Sequence, residues 1–179
     1  MIKKVLAYGP IDEAEKLFPG ADIYQDNPPE EGKYDAIYLQ NMLQQMRRKA
    51  VPIGLALFFK ALKPGGTIHI IVPSLEWACR QVAAKDDPSI LAYPTIYGTD
   101  EDLHLSGFTL KWLRAECELA GFKTQEAYSQ EYTVEINEEK TVGRGNIYIG
   151  MRPIEEAPGS PIPATTAIPA TVEAEEVAA

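Results

Sequence analysis

The sequence is poor in the residues that build disulfide frameworks and transition-metal centres. It has 2 cysteines and 2 histidines among 179 residues. Cys79 and Cys117 lie far apart, and neither belongs to a CxxC pair. These counts exclude a disulfide scaffold and argue against a metal site. Two free thiols in helical segments are typical of a reducing cytoplasm.

Long hydrophobic runs and excess positive charge are also absent. No apolar run approaches the roughly 18 residues of a membrane-spanning helix, and the stretch after Lys3 and Lys4 is too short for a signal peptide. The 26 acidic residues outnumber the 17 basic ones, which gives a net charge of −9. We therefore expect a cytoplasmic protein that binds neither membranes nor nucleic acids.

The last residues differ in composition from the rest of the chain. Residues 154–179 contain five glutamates and four prolines but no lysine, arginine or aromatic residue. Such a segment cannot bury enough apolar surface to offset its chain entropy. The sequence predicts one folded domain over residues 1–153 and a disordered acidic tail over residues 154–179. A solubilising or tethering tail and a motif that docks a partner both fit.

The first 153 residues alternate between strand-like and amphipathic helical segments. The predicted strands are Lys4–Tyr8, Ala21–Gln25, Tyr34–Leu39, Thr67–Val72, Lys123–Tyr132 and Asn146–Met151. The predicted helices are Asp12–Phe18, a stretch ending at Leu62, Leu75–Ala84 with Ser74 as N-cap, and Thr109–Ala120 with Thr109 as N-cap. This order predicts an α/β fold with three layers, α/β/α, around a mostly parallel sheet. The last two strands should form an antiparallel hairpin across the linker Asn137–Gly145.

Several motifs occur in an order that matches a known family. They are Tyr34-Asp-Ala-Ile-Tyr-Leu-Gln-Asn-Met-Leu43, Leu62-Lys-Pro-Gly-Gly66, His104-Leu-Ser-Gly-Phe108 and Ala120-Gly-Phe122. Across residues 34–152 the sequence resembles class I SAM-dependent methyltransferases, of the methyltransferase type 11-like kind. The resemblance implies a Rossmann-like sheet and S-adenosylmethionine (SAM) as cofactor. Pro64 should end a helix, and Gly65 and Gly66 should form the turn into the next strand.

The cofactor motif of that family is degenerate in this sequence. Where the family has a turn of the type LDLGCGxG, this chain has Val5-Leu-Ala-Tyr-Gly-Pro10. Ala7 replaces the acidic residue, Gly9 alone remains, and Pro10 lacks a backbone N–H. About two dozen residues separate Gly9 from Tyr34, so we expect one strand–helix unit of the N-terminal half to be shortened or missing.

The resemblance and the expected sheet suggest a set of ligand-binding residues. Asp26 or Asp22 could replace the family's ribose-binding carboxylate, although a structural role also fits each. Gln40 and Asn41 follow a parallel strand at the edge where open α/β sheets bind ligands, although they could instead cap the next helix. The family's "LEH" is Leu43-Gln44-Gln45 here, without its ionisable groups. The candidate cofactor-binding residues are Tyr8, Gly9, Asp26, Gln40 and Asn41.

His104 is the candidate catalytic residue. It lies in a loop beside Asp100, Glu101 and Asp102, and it matches the family's loop histidine near the substrate entrance. A histidine there could act as a base, or it could be an ordinary loop residue. His69, within a strand, is interpreted as a packing residue.

Three functions fit the sequence. The first is a SAM-dependent methyltransferase that modifies a small molecule, a glycan or a protein. The second is a catalytically inactive methyltransferase-fold protein that acts as a binding or structural module in an assembly with a protein partner. The third is an enzyme that uses another nucleotide-derived ligand. The degenerate first turn leaves open whether the protein is an enzyme.

Overall fold

The computed structural model describes residues 2–84, 91–99, 102–136 and 139–154. The strands are β1 (Lys4–Tyr8), β2 (Asp22–Tyr24), β3 (Tyr34–Gln40), β4 (Leu62–Pro73), β5 (Lys123–Ile136) and β6 (Glu139–Met151). The helices are α1 (Ile11–Leu17), α2 (Val51–Ala61), α3 (Leu75–Ala84), α4 (Ala92–Tyr97) and α5 (Leu110–Leu119), with a 3-10 turn at Leu43–Gln45. Except for Ile154, the predicted tail lies outside the described residues, so the division into domain and tail stays a prediction.

The six strands form one mixed sheet in the order β2-β1-β3-β4-β6-β5. β1 is parallel to β2 and β3, and β3 is parallel to β4. β6 is antiparallel to both β4 and β5. The predicted Rossmann-like sheet with an antiparallel C-terminal hairpin is confirmed.

The N-terminal half is shortened, as predicted. β2 has only three residues, and residues 25–33, which lead from β2 to β3, contain neither helix nor strand. A parallel connection usually carries a helix on its way back across the sheet. Here a loop makes that return, because the chain between the two strands is too short for a further helix and strand.

Helices cover both faces of the sheet, so the fold has three layers. On one face, Leu55 of α2 and Leu113 of α5 belong to the same buried core as Ile70 of β4. On the other face, Ala14 and Phe18, in and just after α1, pack with buried residues of β1 and β3. The helices α1, α2 and α5 thus turn apolar residues to the sheet, as the helical spacing predicts.

The predicted N-caps are present. The Ser74 hydroxyl accepts a hydrogen bond from the Trp77 amide at 3.3 Å, and the Thr109 hydroxyl accepts one from the Trp112 amide at 3.1 Å. Each bond satisfies an amide that lacks a partner in the first turn of its helix. The starts of α3 and α5 are therefore encoded locally.

The Leu62–Gly66 motif differs from its prediction. It forms the irregular beginning of β4, where the pairing with β3 shifts register, and is not a free turn. The Gly65 amide donates to the Arg152 carbonyl at 2.8 Å, and the Arg152 amide donates to the Gly66 carbonyl at 2.9 Å. Gly65 has a φ of +79°, which glycine adopts without strain. Pairing with the chain just after β6 thus extends the strand through residues that resemble a turn.

The β5–β6 hairpin is longer than predicted. The expected linker Asn137–Gly145 is strand from Glu139 onward, and pairing continues to Ile136 and Glu139. β4 pairs with β6 only as far as Gly145. The distal part of the hairpin, before Gly145 in β6, therefore projects beyond the end of β4. Cross-strand pairing with β5 overrides the Glu- and Gly-rich composition that suggested a loop.

No helix in the described ranges has the length and apolar character needed to cross a bilayer.

Candidate functional site

Two adjoining clefts lie at the edge of the sheet where β3 and β4 end. The larger has a volume of about 680 Å³ and the smaller about 160 Å³. The distal hairpin forms one wall. This is the edge where open α/β sheets bind ligands. The residues that line both clefts are Asn41, Pro73, Leu91 and Tyr132.

Gln40 lines the larger cleft. The Tyr38 hydroxyl donates a hydrogen bond to Gln40 Oε1. Burial, followed by the charges of Glu13 and Asp12, raises the pKa of Tyr38 to about 12, so this hydroxyl keeps its proton. The bond fixes the orientation of the amide. Gln40 Nε2, with two hydrogens, is then the group that can donate to a ligand.

Asn41 has a backbone conformation that few residues adopt. Its φ is +54°, in the left-handed region that asparagine tolerates better than most residues. The Asn41 amide donates to the Ile71 carbonyl at 3.0 Å, which holds the chain in this turn. Strained residues of this kind cluster at ligand sites, and Asn41 lies where the two clefts meet.

The turn after β1 packs against β3. Gly9 has a φ of +143°, and a Cβ added there would lie 2.9 Å from Gln40 Cβ. The Tyr8 hydroxyl donates to the Asp26 carbonyl oxygen, and its ring packs 5.7 Å from that of Phe58. Burial, with a smaller effect of Asp26, raises the pKa of Tyr8. Gly9 therefore brings the β1 turn into contact with Gln40.

Asp26 belongs to a charged network of the β2–β3 connection. Its carboxylate lies 2.7 Å from Lys33 Nζ and accepts a hydrogen bond from the Tyr34 hydroxyl. These bonds lower the pKa of Asp26, that of Lys33 most strongly. The Lys33 ammonium also lies 4.4 Å from the centre of the Tyr24 ring. Among the predicted cofactor residues, the structure thus groups Tyr8 with Asp26, outside the linings of the two clefts.

His104 lies in the wall of the smaller cleft, with 8% of its side chain exposed. Its Nδ1 is 3.0 Å from the Thr95 carbonyl oxygen, and its Nε2 is 3.8 Å from Asp102 Oδ2. The His104 amide donates to the Tyr97 carbonyl at 3.0 Å. Three predicted site residues, Gln40, Asn41 and His104, therefore line the paired clefts, while their roles stay predictions.

Two further lining residues carry no local sequence signal. Glu13, on α1, reaches the larger cleft. Tyr132, on the distal hairpin, lies against Gly143, where an added Cβ would be 2.5 Å from its ring. Burial raises the pKa of Tyr132, and a side-chain hydrogen bond with Thr95 opposes that shift. Both residues reach the clefts only through the tertiary fold.

An adenosyl ligand fits the larger cleft in size and chemistry. The volume of about 680 Å³ lies within the range of roughly 300–1,000 Å³ typical of ligand pockets. Gln40 and Asn41 supply amide groups, and Glu13 supplies a carboxylate. The β1 turn, where Pro10 has no N–H to offer, contributes less than in the family pattern. Across the described ranges, no three His, Cys, Asp or Glu residues are grouped to hold a metal ion.

Gln44 is a buried polar residue that the site leaves unexplained. It is 2% exposed, and its Oε1 and Nε2 have no hydrogen-bond partner within the described part of the chain. Its backbone carbonyl accepts the amides of Leu105 at 2.7 Å and Ser106 at 3.0 Å. This residue thus anchors the loop after His104 through its main chain alone.

Replacing Gln44 by methionine should stabilise the protein. Methionine has a similar length, and it removes the cost of burying an amide without partners, about 1–2 kcal/mol. Urea denaturation measures the change, with the exposed neighbour substitution Gln45→Met as a control expected to be near neutral. A loss of stability in Gln44→Met would show that the amide has a partner after all.

Comparisons with known proteins identify the fold. No protein-family profile matches the chain, and no curated protein matches it. A SAM-dependent methyltransferase from Methanosarcina mazei is 15% identical, with 85% of this chain and 93% of that chain covered and a TM-score of 0.52. The 1,6-didemethyltoxoflavin-N1-methyltransferase of Burkholderia thailandensis, solved with 1,6-didemethyltoxoflavin and S-adenosylhomocysteine, is 15% identical, with 84% and 71% covered and a TM-score of 0.53. A SAM-dependent methyltransferase from Archaeoglobus fulgidus is 12% identical, with 83% and 86% covered and a TM-score of 0.51. The chain therefore has the fold of the class I SAM-dependent methyltransferases.

Proposed function

We propose that this protein is a cytoplasmic SAM-dependent methyltransferase that acts on a small molecule, a glycan or a protein. One observation carries the proposal: two clefts meet at Asn41, at the sheet edge where open α/β folds bind ligands. Solved proteins with the same fold include one bound to S-adenosylhomocysteine. The larger cleft would take the cofactor, and the smaller one would take part of the acceptor.

The residues of the clefts have separate tasks in this proposal. Gln40 Nε2 donates to the cofactor, and Asn41 lies between cofactor and acceptor. The bound cofactor supplies an electrophilic methyl group on its sulfonium. The Thr95 carbonyl can only accept a hydrogen bond, so His104 Nδ1 carries the hydrogen. In the neutral ring, Nε2 is then the nitrogen that can accept the acceptor's proton.

Calorimetric titration of the full chain with SAM and with S-adenosylhomocysteine tests the proposal. We expect dissociation constants in the micromolar range, about −8 kcal/mol, and about tenfold weaker binding in Gln40→Ala. Gln45→Ala, an exposed glutamine outside the cleft linings, is the matched control. Absence of heat at millimolar ligand would contradict the proposal, and adenosine and ATP titrations would then show whether another nucleotide-derived ligand binds.

A second function is favoured by the β1 turn. Ala7 offers no carboxylate, Pro10 offers no N–H, and Gly9 is closed against Gln40. A turn with this chemistry fits a catalytically inactive protein with the methyltransferase fold. Such a protein would act as a binding or structural module in an assembly with a protein partner. A folded protein that binds neither SAM nor S-adenosylhomocysteine would favour the module, whereas micromolar binding followed by methyl transfer to any acceptor would exclude it.

A further inference from the structure

The smaller cleft has a chemistry of its own. Among the described residues, its lining includes one carboxylate, Asp102, and one imidazole, His104, but no lysine or arginine. The other polar side chains in the lining are Asn41, Thr95, Thr99 and Tyr132. These amide and hydroxyl groups can donate or accept, whereas the carboxylate can only accept, so a ligand that brings a charged hydrogen-bond donor would complement the cleft.

The two ionisable groups face each other across a gap. With the hydrogen of His104 on Nδ1, bonded to the Thr95 carbonyl, Nε2 of the neutral ring is an acceptor. The nearest carboxylate oxygen, Asp102 Oδ2, lies 3.8 Å away, beyond hydrogen-bonding distance. Without an added proton, His104 Nε2 and Asp102 Oδ2 cannot hydrogen-bond to each other. A ligand group with two N–H hydrogens could donate to both.

Asp102 also has an unused acceptor atom. Its Oδ1 is buried without a hydrogen-bond partner in the described part of the chain. The two carboxylates of the larger cleft are already paired, Glu131 with Arg144 at 2.6 Å and Glu13 with Lys16 at 2.8 Å. Within the same part of the chain, Asp102 has no such lysine or arginine partner. The Asp102 side chain is 39% exposed, so Oδ2, and not the buried Oδ1, is the oxygen that can accept a hydrogen bond from a cationic donor in the cleft.

The size and walls of the cleft limit what it can hold. A volume of about 160 Å³ corresponds to about five water volumes of roughly 30 Å³ each, which suits a group of about five heavy atoms. Pro73 and Pro94 supply apolar walls, and Tyr132 supplies an aromatic ring. Aromatic faces attract cations. A short alkyl chain that ends in an ammonium group matches these walls and the acceptors.

We propose that the smaller cleft binds the amine head of an alkylamine, with its N–H groups donated to Asp102 and to His104 Nε2. The alkyl chain would lie against the apolar walls of the same cleft, Pro73 and Pro94, and not between the nitrogen and the larger cleft. Amine binding stands independently of the cofactor. The further step, that such an amine is the methyl acceptor, rests on the proposed function above.

Titration of the isotopically labelled full chain with butylammonium chloride, followed by NMR, tests the proposal without any cofactor. We expect saturable binding with a shift of the His104 ring signals and none of the His69 signals, which gives an internal control. Butanol should bind at least tenfold more weakly, because it lacks the charge, and butyrate should not bind. Equal binding of butanol or butyrate would overturn the proposal.

Asp102→Asn should weaken butylammonium binding at least tenfold, while Asp22→Asn, an exposed carboxylate on β2, should leave it unchanged. Circular dichroism melting confirms that each variant is folded, and the His104 signals of the unaltered chain give a readout that needs no variant. Unchanged binding in Asp102→Asn, or no shift of His104, would refute the site. Amine binding without SAM binding would defeat the methyltransferase proposal alone, and SAM binding without amine binding would defeat this inference alone.

Discussion

Replacing Gly98 by alanine is expected to destabilise the loop that carries His104 by about 2–4 kcal/mol. Gly98 has a φ of +80° and a ψ of −157°, a conformation that is essentially restricted to glycine. A Cβ there would lie 1.9 Å from the Asp102 carbonyl oxygen and 2.7 Å from the His104 amide nitrogen. Because both contacts are backbone atoms, the loop itself must move.

Urea denaturation and butylammonium titration measure the two consequences, lost stability and lost binding. Gly20→Ala is the matched control: Gly20 has a φ of +78° but no atom within 4 Å of the added Cβ. We expect it to cost only about 1 kcal/mol and to leave amine binding unchanged. If Gly98→Ala and Gly20→Ala lost the same stability and bound the amine equally well, the close backbone contacts at Gly98 would not contribute to the cost of the substitution.

Replacing Gly9 by valine is expected to cost about 2–4 kcal/mol and to displace Gln40. The added Cβ would lie 2.9 Å from Gln40 Cβ and 3.3 Å from the Gln40 carbonyl oxygen. These atoms end a strand that is paired with β1 on one side and β4 on the other, so they have little room to move. Valine is also poorly suited to a φ of +143°.

Gly32→Val provides the comparison for Gly9→Val. Gly32 also has a positive φ, +64°, but an added Cβ would meet nothing within 4 Å. Denaturant unfolding should separate the two variants clearly, and SAM titration should show weakened binding only in Gly9→Val. Full stability of Gly9→Val would mean that the turn after β1 can separate from β3, against the packing described above.

Local patterns account for most of the sheet. The run Thr67–Val72 is β-branched and apolar enough to predict a central strand, and Ser74 and Thr109 mark helix starts by their side-chain chemistry. The Leu62–Gly66 motif predicts a turn, because proline and glycine usually end helices and strands. Pairing with Arg152 makes it a strand, and that pairing partner is far away in the sequence.

The candidate site could be predicted only in part. Gln40 and Asn41 could be placed because the end of a parallel strand is defined by local sequence and opens on the ligand edge. Tyr132 could not, because its position depends on how far the final hairpin continues past β4. Nor could the gap between Asp102 and His104 be foreseen, since the loop that carries both is held by backbone hydrogen bonds to Tyr97 and Thr99.

Because the hairpin projects beyond β4, the two parts of β6 should differ in how well their amide hydrogens are protected from exchange with solvent. From Gly145 to Met151, β6 is bonded on both sides, whereas from Glu139 to Gly143 β5 is its only partner strand among the described residues. Amide hydrogens in the second part should exchange with solvent through a local opening that leaves the parallel core intact. Tyr132 of β5 pairs with Gly143 of that part, so we expect the width of both clefts to vary with a local opening that is far less costly than global unfolding. A ligand that contacts Tyr132 would slow this exchange, and its binding free energy would include the cost of closing the hairpin.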